Sequence, residues 1–166
     1  MKLRSLLQPD WDLGKTIAEL SIDELRKRHL KVLILDVDCT LIPPYQSKLP
    51  GSVKAWLKNA RDHFTIHLFS NNPSGHHIGS LGKELETSFT TSASKPRSQI
   101  LSKVLSEINV PARKVALIGD RLFTDTLAGN QLGLFTVLVT PIGVRSNQQL
   151  QKIERQLSCL LGTSIN

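Results

Sequence analysis

Four aliphatic residues, Val32-Leu33-Ile34-Leu35, run without a break into Asp36-Val37-Asp38-Cys39-Thr40. An apolar run with no alternation suits a strand covered on both faces, as in a parallel sheet between helices. Such a strand does not end in two carboxylates unless a cation or a substrate offsets their repulsion and desolvation. One stretch of nine residues therefore asks for a layered α/β architecture with a charged site at the edge of its sheet.

The same pattern returns along the chain. A strand over residues 64–69 ends in Ser70-Asn71-Asn72, and one over residues 115–118 runs into Gly119-Asp120. A weaker strand around Phe89 precedes Ser94-Lys95-Pro96, and the strand over residues 136–140 stops at Pro141. Helical patterns separate them, over residues 52–62, from Pro73 onward, over residues 96–108 and over residues 122–132. The third of these places Ile100, Leu101, Val104, Leu105 and Ile108 on one face. Gly133 suits the left-handed position that closes the fourth. Strands alternating with helices predict a three-layer, Rossmann-like α/β fold with a five-stranded parallel sheet.

The 166 residues make one domain with an ample core. Residues 1–28 read as a helical lead, with a helix over Gly14–Leu25 and a capping box at Ser21-Ile22-Asp23-Glu24. Residues 145–166 read as a C-terminal helix whose stripe of Leu150, Ile153, Leu157, Leu160 and Leu161 is expected to cover the core. Trp56 is expected in the core and Trp11 at an interface. The start, MKLRSLLQPDW, has no signal-peptide core, and no apolar run reaches the ~18 residues of a membrane span. Cys39 and Cys159 have neither metal-ligand nor disulfide-framework spacing, which agrees with a reducing compartment. A cytoplasmic protein is expected, with room for peripheral attachment to a membrane.

In an open α/β sheet, ligands bind beyond the carboxyl ends of the strands. Those ends carry Asp36, Asp38 and Thr40, then Ser70 and Asn71, then Lys95, then Asp120 and Asp125. Carboxylates converging from two strands make a hard oxygen site that suits Mg²⁺. A lysine and a hydroxyl facing it form a clamp for a phosphoryl group. One aspartate can attack phosphorus and the other can move the proton. With four of the fourteen acids gathered there, 21 basic residues face ten acids elsewhere. Such a surface draws phosphorylated metabolites, nucleic acid or an acidic lipid surface, although solubility alone accounts for many charges.

Asp-Val-Asp-Cys-Thr at 36–40, Ser70, Lys95-Pro96 and Gly119-Asp120 with Asp125 resemble, in order, the four motifs of the haloacid dehalogenase (HAD) superfamily of phosphatases. The resemblance implies that Asp36 is the nucleophile, forming an aspartyl-phosphate, and that Asp38 is the general acid and base. It implies that Thr40 steadies the loop and that Ser70 and the Asn71 amide bind phosphoryl oxygens. Lys95 would neutralise charge between nucleophile and phosphate. Mg²⁺ would be held by Asp36, the Asp38 backbone carbonyl and Asp120, with Asp125 reaching it directly or through water.

A finer resemblance covers most of the chain. The short N-terminal helix, SNNP, SKP, GDRLFTDTLAGN and the TP after the last strand are similar to subfamily IIIA and its phosphatidylglycerophosphatase branch. Members of that branch convert phosphatidylglycerophosphate to phosphatidylglycerol. Cys39 departs from the Asn or Gly usual there. Residues 41–64 and 73–88 are too short for a large cap domain, so the resemblance implies an open site. An open site suits a large or surface-bound substrate, such as a lipid headgroup, a nucleic-acid end or a phosphoprotein.

A cysteine phosphatase built on Cys39 needs an arginine six residues on, and position 45 is Tyr. A receiver domain needs a lone aspartate after its third strand, and none is found. His76-His77 reads as a solvated helix start, and Arg26-Lys27-Arg28 as a helix end that an anionic lipid surface could also use. Two functional alternatives stay open beside the lipid phosphatase. One is the same chemistry on a nucleic-acid end, phosphoprotein or soluble sugar phosphate; the other is a non-catalytic binding module, which the intact acid and lysine set disfavours.

Overall fold

In the computed structural model, which describes residues 3–143 and 145–160, six strands form one sheet in the order β1-β6-β5-β2-β3-β4. They are β1 (Trp11–Asp12), β2 (Val32–Leu35), β3 (Thr65–Phe69), β4 (Ser88–Thr90), β5 (Val115–Gly119) and β6 (Phe135–Leu138). Every pairing is parallel. Helices α1 (Leu3–Leu6), α2 (Ile22–Lys27), α3 (Gly51–Arg61), α4 (Gly75–Glu84), α5 (Gln99–Ile108), α6 (Leu127–Gln131) and α7 (Arg145–Leu160) complete the layers.

The central strand shows why its apolar run has no alternation. Leu33 and Leu35 point into one cluster with Val53, Trp56 and Leu57 of α3 and Ile78 of α4. Val32 and Ile34 point into a second with Leu101 and Val104 of α5 and Ala128 of α6. Both faces are covered, so both sets are apolar. In register, Leu35 lies opposite Leu68 of β3 and Ile118 of β5. That alignment brings Ser70 and Asp120 out level with each other and one residue beyond Asp36, so all three emerge at the same end of the sheet.

The sheet has six strands, not the expected five. The added strand, Trp11–Asp12, is a two-residue edge strand with no periodicity to announce it, pinned to β6 from outside the ladder. The Thr136 N–H donates to the Asp10 carboxylate at 2.8 Å. The expected helix over Gly14–Leu25 is also divided. Ile17–Glu19 makes one 3₁₀ turn, and α2 starts afresh where the Ser21 hydroxyl accepts the Glu24 N–H at 3.3 Å. Trp56 is buried and donates its indole N–H to the Leu20 carbonyl at 2.7 Å. Trp11 is half-buried beneath the Arg28 guanidinium, 5.2 Å from its ring centre. Gly133 follows α6 with φ +70°, as its position requires.

α7 forms where expected, but the other way round. Gln151, Glu154 and Ser158 are buried, while Leu150, Ile153, Leu157 and Leu160 are exposed. Leu161 and the rest of the expected helix lie outside the described residues. The reason is local: Gln151 Nε2 reaches the carbonyls of Asp120 and Val139 at 2.7 and 2.8 Å. Buried strand-end carbonyls need donors, and leaving them unpaired costs about 1–3 kcal/mol each. The polar stripe of α7 supplies those donors, so the leucine stripe turns away.

Candidate active site

β2 delivers Asp36 to the floor of a pocket of about 180 Å³. Its two oxygens are spoken for. Oδ1 accepts from Lys95 Nζ at 2.6 Å and Oδ2 from the Thr40 hydroxyl at 2.9 Å. Asp38, two residues on, is exposed and faces the same pocket. Its carboxylate accepts from the buried Ser70 hydroxyl at 2.8 Å and from Asn72 Nδ2 at 3.4 Å. The two aspartates of one short loop thus differ in kind: one is fixed and buried, the other accessible.

Lys95 crosses from the far side of the sheet. Its buried ammonium donates to Asp36, to Asp125 Oδ1 at 2.6 Å and to the Phe69 carbonyl at 3.1 Å, using all three protons. Burial opposes the charge, but Asp125 and Asp36 outweigh it and hold the ammonium above the ordinary lysine pKa. Its backbone is gripped by the Asn71 side chain. The Lys95 N–H donates to Asn71 Oδ1 at 2.7 Å, and Asn71 Nδ2 donates to the Lys95 carbonyl at 3.0 Å. Sequence reasoning gave Asn71 only a phosphate-facing amide; the structure adds this clamp.

Asp125 stands on one π-type turn, Leu122–Thr126, and folds back over the end of β5. Its Oδ2 accepts the Arg121 N–H at 3.1 Å. A Cβ on Gly119 would sit 2.3 Å from the Asp125 Cγ, so only glycine leaves room there. The glycine of Gly119-Asp120 is thus part of the site, serving close approach.

Asp36, Asp120 and Asp125 offer oxygens all within 4.8 Å of one another, and all three residues are buried. Lys95 is the one cation in direct contact with this group among the described residues. Burial, Asp36 and Asp125 push the Asp120 carboxyl up to about 8. Burial raises Asp36 to about 6, against the pull of Lys95 and with the help of Asp125. Three oxygen donors that cannot all hold their charge without a further cation fit a hard divalent metal. The Asp38 carboxylate lies outside this group, turned to Ser70, so an Asp38 contribution falls to its backbone carbonyl.

Cys39 follows the two catalytic candidates, lines the same pocket and lies in the left-handed region, φ +66°, a conformation that asparagine and glycine adopt most easily. Its thiol is pushed up to about 12 by burial and then by Asp120, Asp36 and Asp38. That leaves almost no thiolate and no nucleophile at neutral pH. Brief treatment with iodoacetamide at about pH 8 is expected to alkylate the exposed Cys159 and spare Cys39. Peptide mass mapping reads the outcome, and a modified Cys39 would contradict it.

Three further residues escaped sequence reasoning. Arg121 lines the pocket and donates from Nε to Glu154 Oε1 at 2.7 Å. Glu154 also accepts the Leu122 N–H at 3.0 Å, and Gln151 holds the Asp120 carbonyl. The signal was present as a polar i, i+3 pair on α7, hidden beside a stronger leucine stripe.

A buried carboxylate, a lysine spanning two acids and a three-oxygen cation site at strand ends are the parts that phosphoryl-transfer chemistry uses. Residues 92–160 match the HAD-hydrolase-like family. The "Probable phosphatase YqeG" of Bacillus subtilis (strain 168) is 27% identical over 165 residues, covering 95% of this chain and 94% of that protein. Phosphatidylglycerophosphate phosphatase 1, chloroplastic/mitochondrial, of Arabidopsis thaliana is 24% identical over 156 residues; the match takes in 89% of this chain and 45% of that protein. The cobalt-bound deoxy-D-mannose-octulosonate 8-phosphate phosphatase of Haemophilus influenzae shares the fold with a TM-score of 0.52 at 16% identity, over 80% of this chain and 91% of that one. The family match thus covers the second half of the chain, and the structural likeness shows a shared α/β fold.

Proposed function

We propose that this protein hydrolyses a phosphomonoester through a phosphorylated Asp36, and that its substrate is phosphatidylglycerophosphate, released as phosphatidylglycerol. The observation that carries the chemistry is Asp36 itself. It is a buried carboxylate, aimed into the pocket and fixed by Lys95 and Thr40. Fixing both oxygens removes the rotational freedom that attack in line with a leaving group would otherwise have to spend.

Asp38 hands a proton to the departing oxygen and later takes one from the water that releases phosphate. Its exposure to the pocket and its tether to Ser70 suit a group that must reach the substrate yet keep one orientation. The Ser70 hydroxyl and the Asn71 backbone amide hold phosphoryl oxygens, and Lys95 balances charge between them and Asp36. Asp36, Asp120, Asp125 and the Asp38 carbonyl would hold Mg²⁺, which when bound neutralises the acids and polarises the phosphoryl group.

The lipid substrate is supported by the likeness to the Arabidopsis enzyme over 89% of this chain and by a pocket without an inserted cap. No helix among the described residues is long and apolar enough to cross a membrane; we place the enzyme at the aqueous face of a bilayer. The decisive measurement is phosphate release with Mg²⁺ from four substrates: phosphatidylglycerophosphate, a 3′-phosphorylated oligonucleotide, a phosphopeptide and an octulosonate 8-phosphate. The lipid is expected to lead in kcat/KM by roughly tenfold or more. A lead for any other substrate overturns the lipid assignment, and release from none of them returns the protein to a binding module.

A further inference from the structure

The inverted packing of α7 leaves an apolar face in water. Leu150, Ile153, Leu157 and Leu160 are 39, 51, 48 and 85% exposed. At about 100° per residue they fall within an arc of roughly 80°, and at 1.5 Å per residue they extend about 15 Å.

The polar contacts of α7 fix where that face looks. Gln151 binds carbonyls just past the ends of β5 and β6, and Arg155 forms an ion pair with Asp12 at the end of β1. The helix therefore lies across the carboxyl ends of three strands. Its opposite side faces outward at the end of the sheet where the catalytic pocket opens, and Leu150 is itself part of the pocket wall.

A second apolar element stands on the same rim. Tyr45 is fully exposed, in a loop whose Pro44 packs on Gly143, two residues before α7; a Cβ on Gly143 would come within 2.7 Å of Pro44 Cδ. Lys48 in that loop and Lys152 on α7 are exposed. An exposed tyrosine with lysines around an apolar stripe has the composition of an interfacial surface.

We propose that the apolar face of α7, together with Tyr45, docks on an anionic lipid bilayer and sets the pocket at the headgroup plane. A second copy of the chain fits less well. Each copy carries a net charge of +7, and a stripe one helix wide and about 15 Å long falls short of the ~800 Å² per partner of a stable dimer. Charge of that sign is drawn to an anionic surface. The run Arg26-Lys27-Arg28, an expected lipid contact, does not serve. It is paired with Asp23 and Glu24 and leads into the amino end of β2, opposite the pocket. The inference rests on the lipid reading for its purpose, but its test is separate.

The test uses the full chain, vesicles of phosphatidylcholine alone or with roughly one-third phosphatidylglycerol, and the variant Ile153→Gln/Leu157→Gln. The wild type is expected to sediment with the anionic vesicles. The variant is expected to lose roughly tenfold or more of that partitioning. Its melting temperature and its hydrolysis of p-nitrophenyl phosphate are expected to stay unchanged, since neither residue lines the pocket.

A wild type that stays in solution, or a variant that binds like the wild type, overturns the docking surface. So does a wild type that sediments as a dimer in velocity runs while the variant is a monomer, which assigns the face to a second copy. Binding lost in the variant, without any phosphatidylglycerophosphate hydrolysis by the wild type, keeps the docking surface and removes the substrate. Hydrolysis of detergent-dispersed lipid without vesicle binding does the reverse.

Discussion

Asp36→Asn is expected to lower turnover by at least about 10⁴-fold while the protein stays folded. The two side chains have nearly the same shape, so packing at the end of β2 is preserved. The amide oxygen can still accept from Thr40. Lys95 keeps Asp125 at 2.6 Å and the Phe69 carbonyl at 3.1 Å, so its buried charge is not stranded. What is lost is a negatively charged oxygen able to bond to phosphorus, and no neighbour replaces it: Asp38 is turned to Ser70, and the Cys39 thiol is protonated. Because Asp36 shares its site with Asp120 and Asp125, removing one charge relieves repulsion, and the metal-free variant should melt no lower than the wild type. Two readouts separate catalysis from stability: phosphate release, and a beryllofluoride adduct, which requires the carboxylate and should form on the wild type alone. A variant that turns over at a wild-type rate would sink the nucleophile assignment.

That these side chains gather in one place was legible in the sequence because the fold concentrates polar residues at its strand ends. Once a strand reads as buried on both faces, any polar residue at its carboxyl end is exposed to explanation, and Asp36, Ser70 and Asp120 stood out in that way. The register of β2 between β3 and β5 then brings them out within one residue of each other. The contacts that hold the site in place were not legible, since they join residues far apart in the chain through backbone atoms. Asn71 grips the Lys95 backbone across 24 positions, and Gln151 reaches the Asp120 carbonyl across 31. No periodicity encodes such pairs.

α7 shows the same limit from the other side. Its period is plain, and the period says that the helix has two faces. Which face is buried depends on what lies beneath it. Here that is a row of strand-end carbonyls and the Leu122 N–H, not an apolar sheet face. Trp11–Asp12 was missed for a simpler reason, since two residues are too few to show alternation.

Removing the divalent metal is expected to make stability fall as pH rises from about 6 to about 8, and restoring Mg²⁺ to abolish most of that slope. The sign follows from Asp120. Its carboxyl titrates near 8 in the metal-free fold, against an ordinary value of 3.8. Between those values the folded chain holds a proton that the unfolded chain has lost, so unfolding releases it and is favoured by higher pH. Asp36, raised to about 6, adds to the slope at the acid end of the same window. With Asp120 alone, the change from pH 6 to pH 8 amounts to about 2 kcal/mol, or a melting temperature lower by roughly 4–8 °C in a domain of this size. A bound cation favours the ionised acids, which brings their effective pKa values back down and removes the penalty. Thermal melts in chelator and in Mg²⁺ across that range test both halves. A chelated protein whose stability rises with pH would mean that the three acids are not held together as described. A slope that Mg²⁺ leaves untouched would mean that the metal does not bind among them.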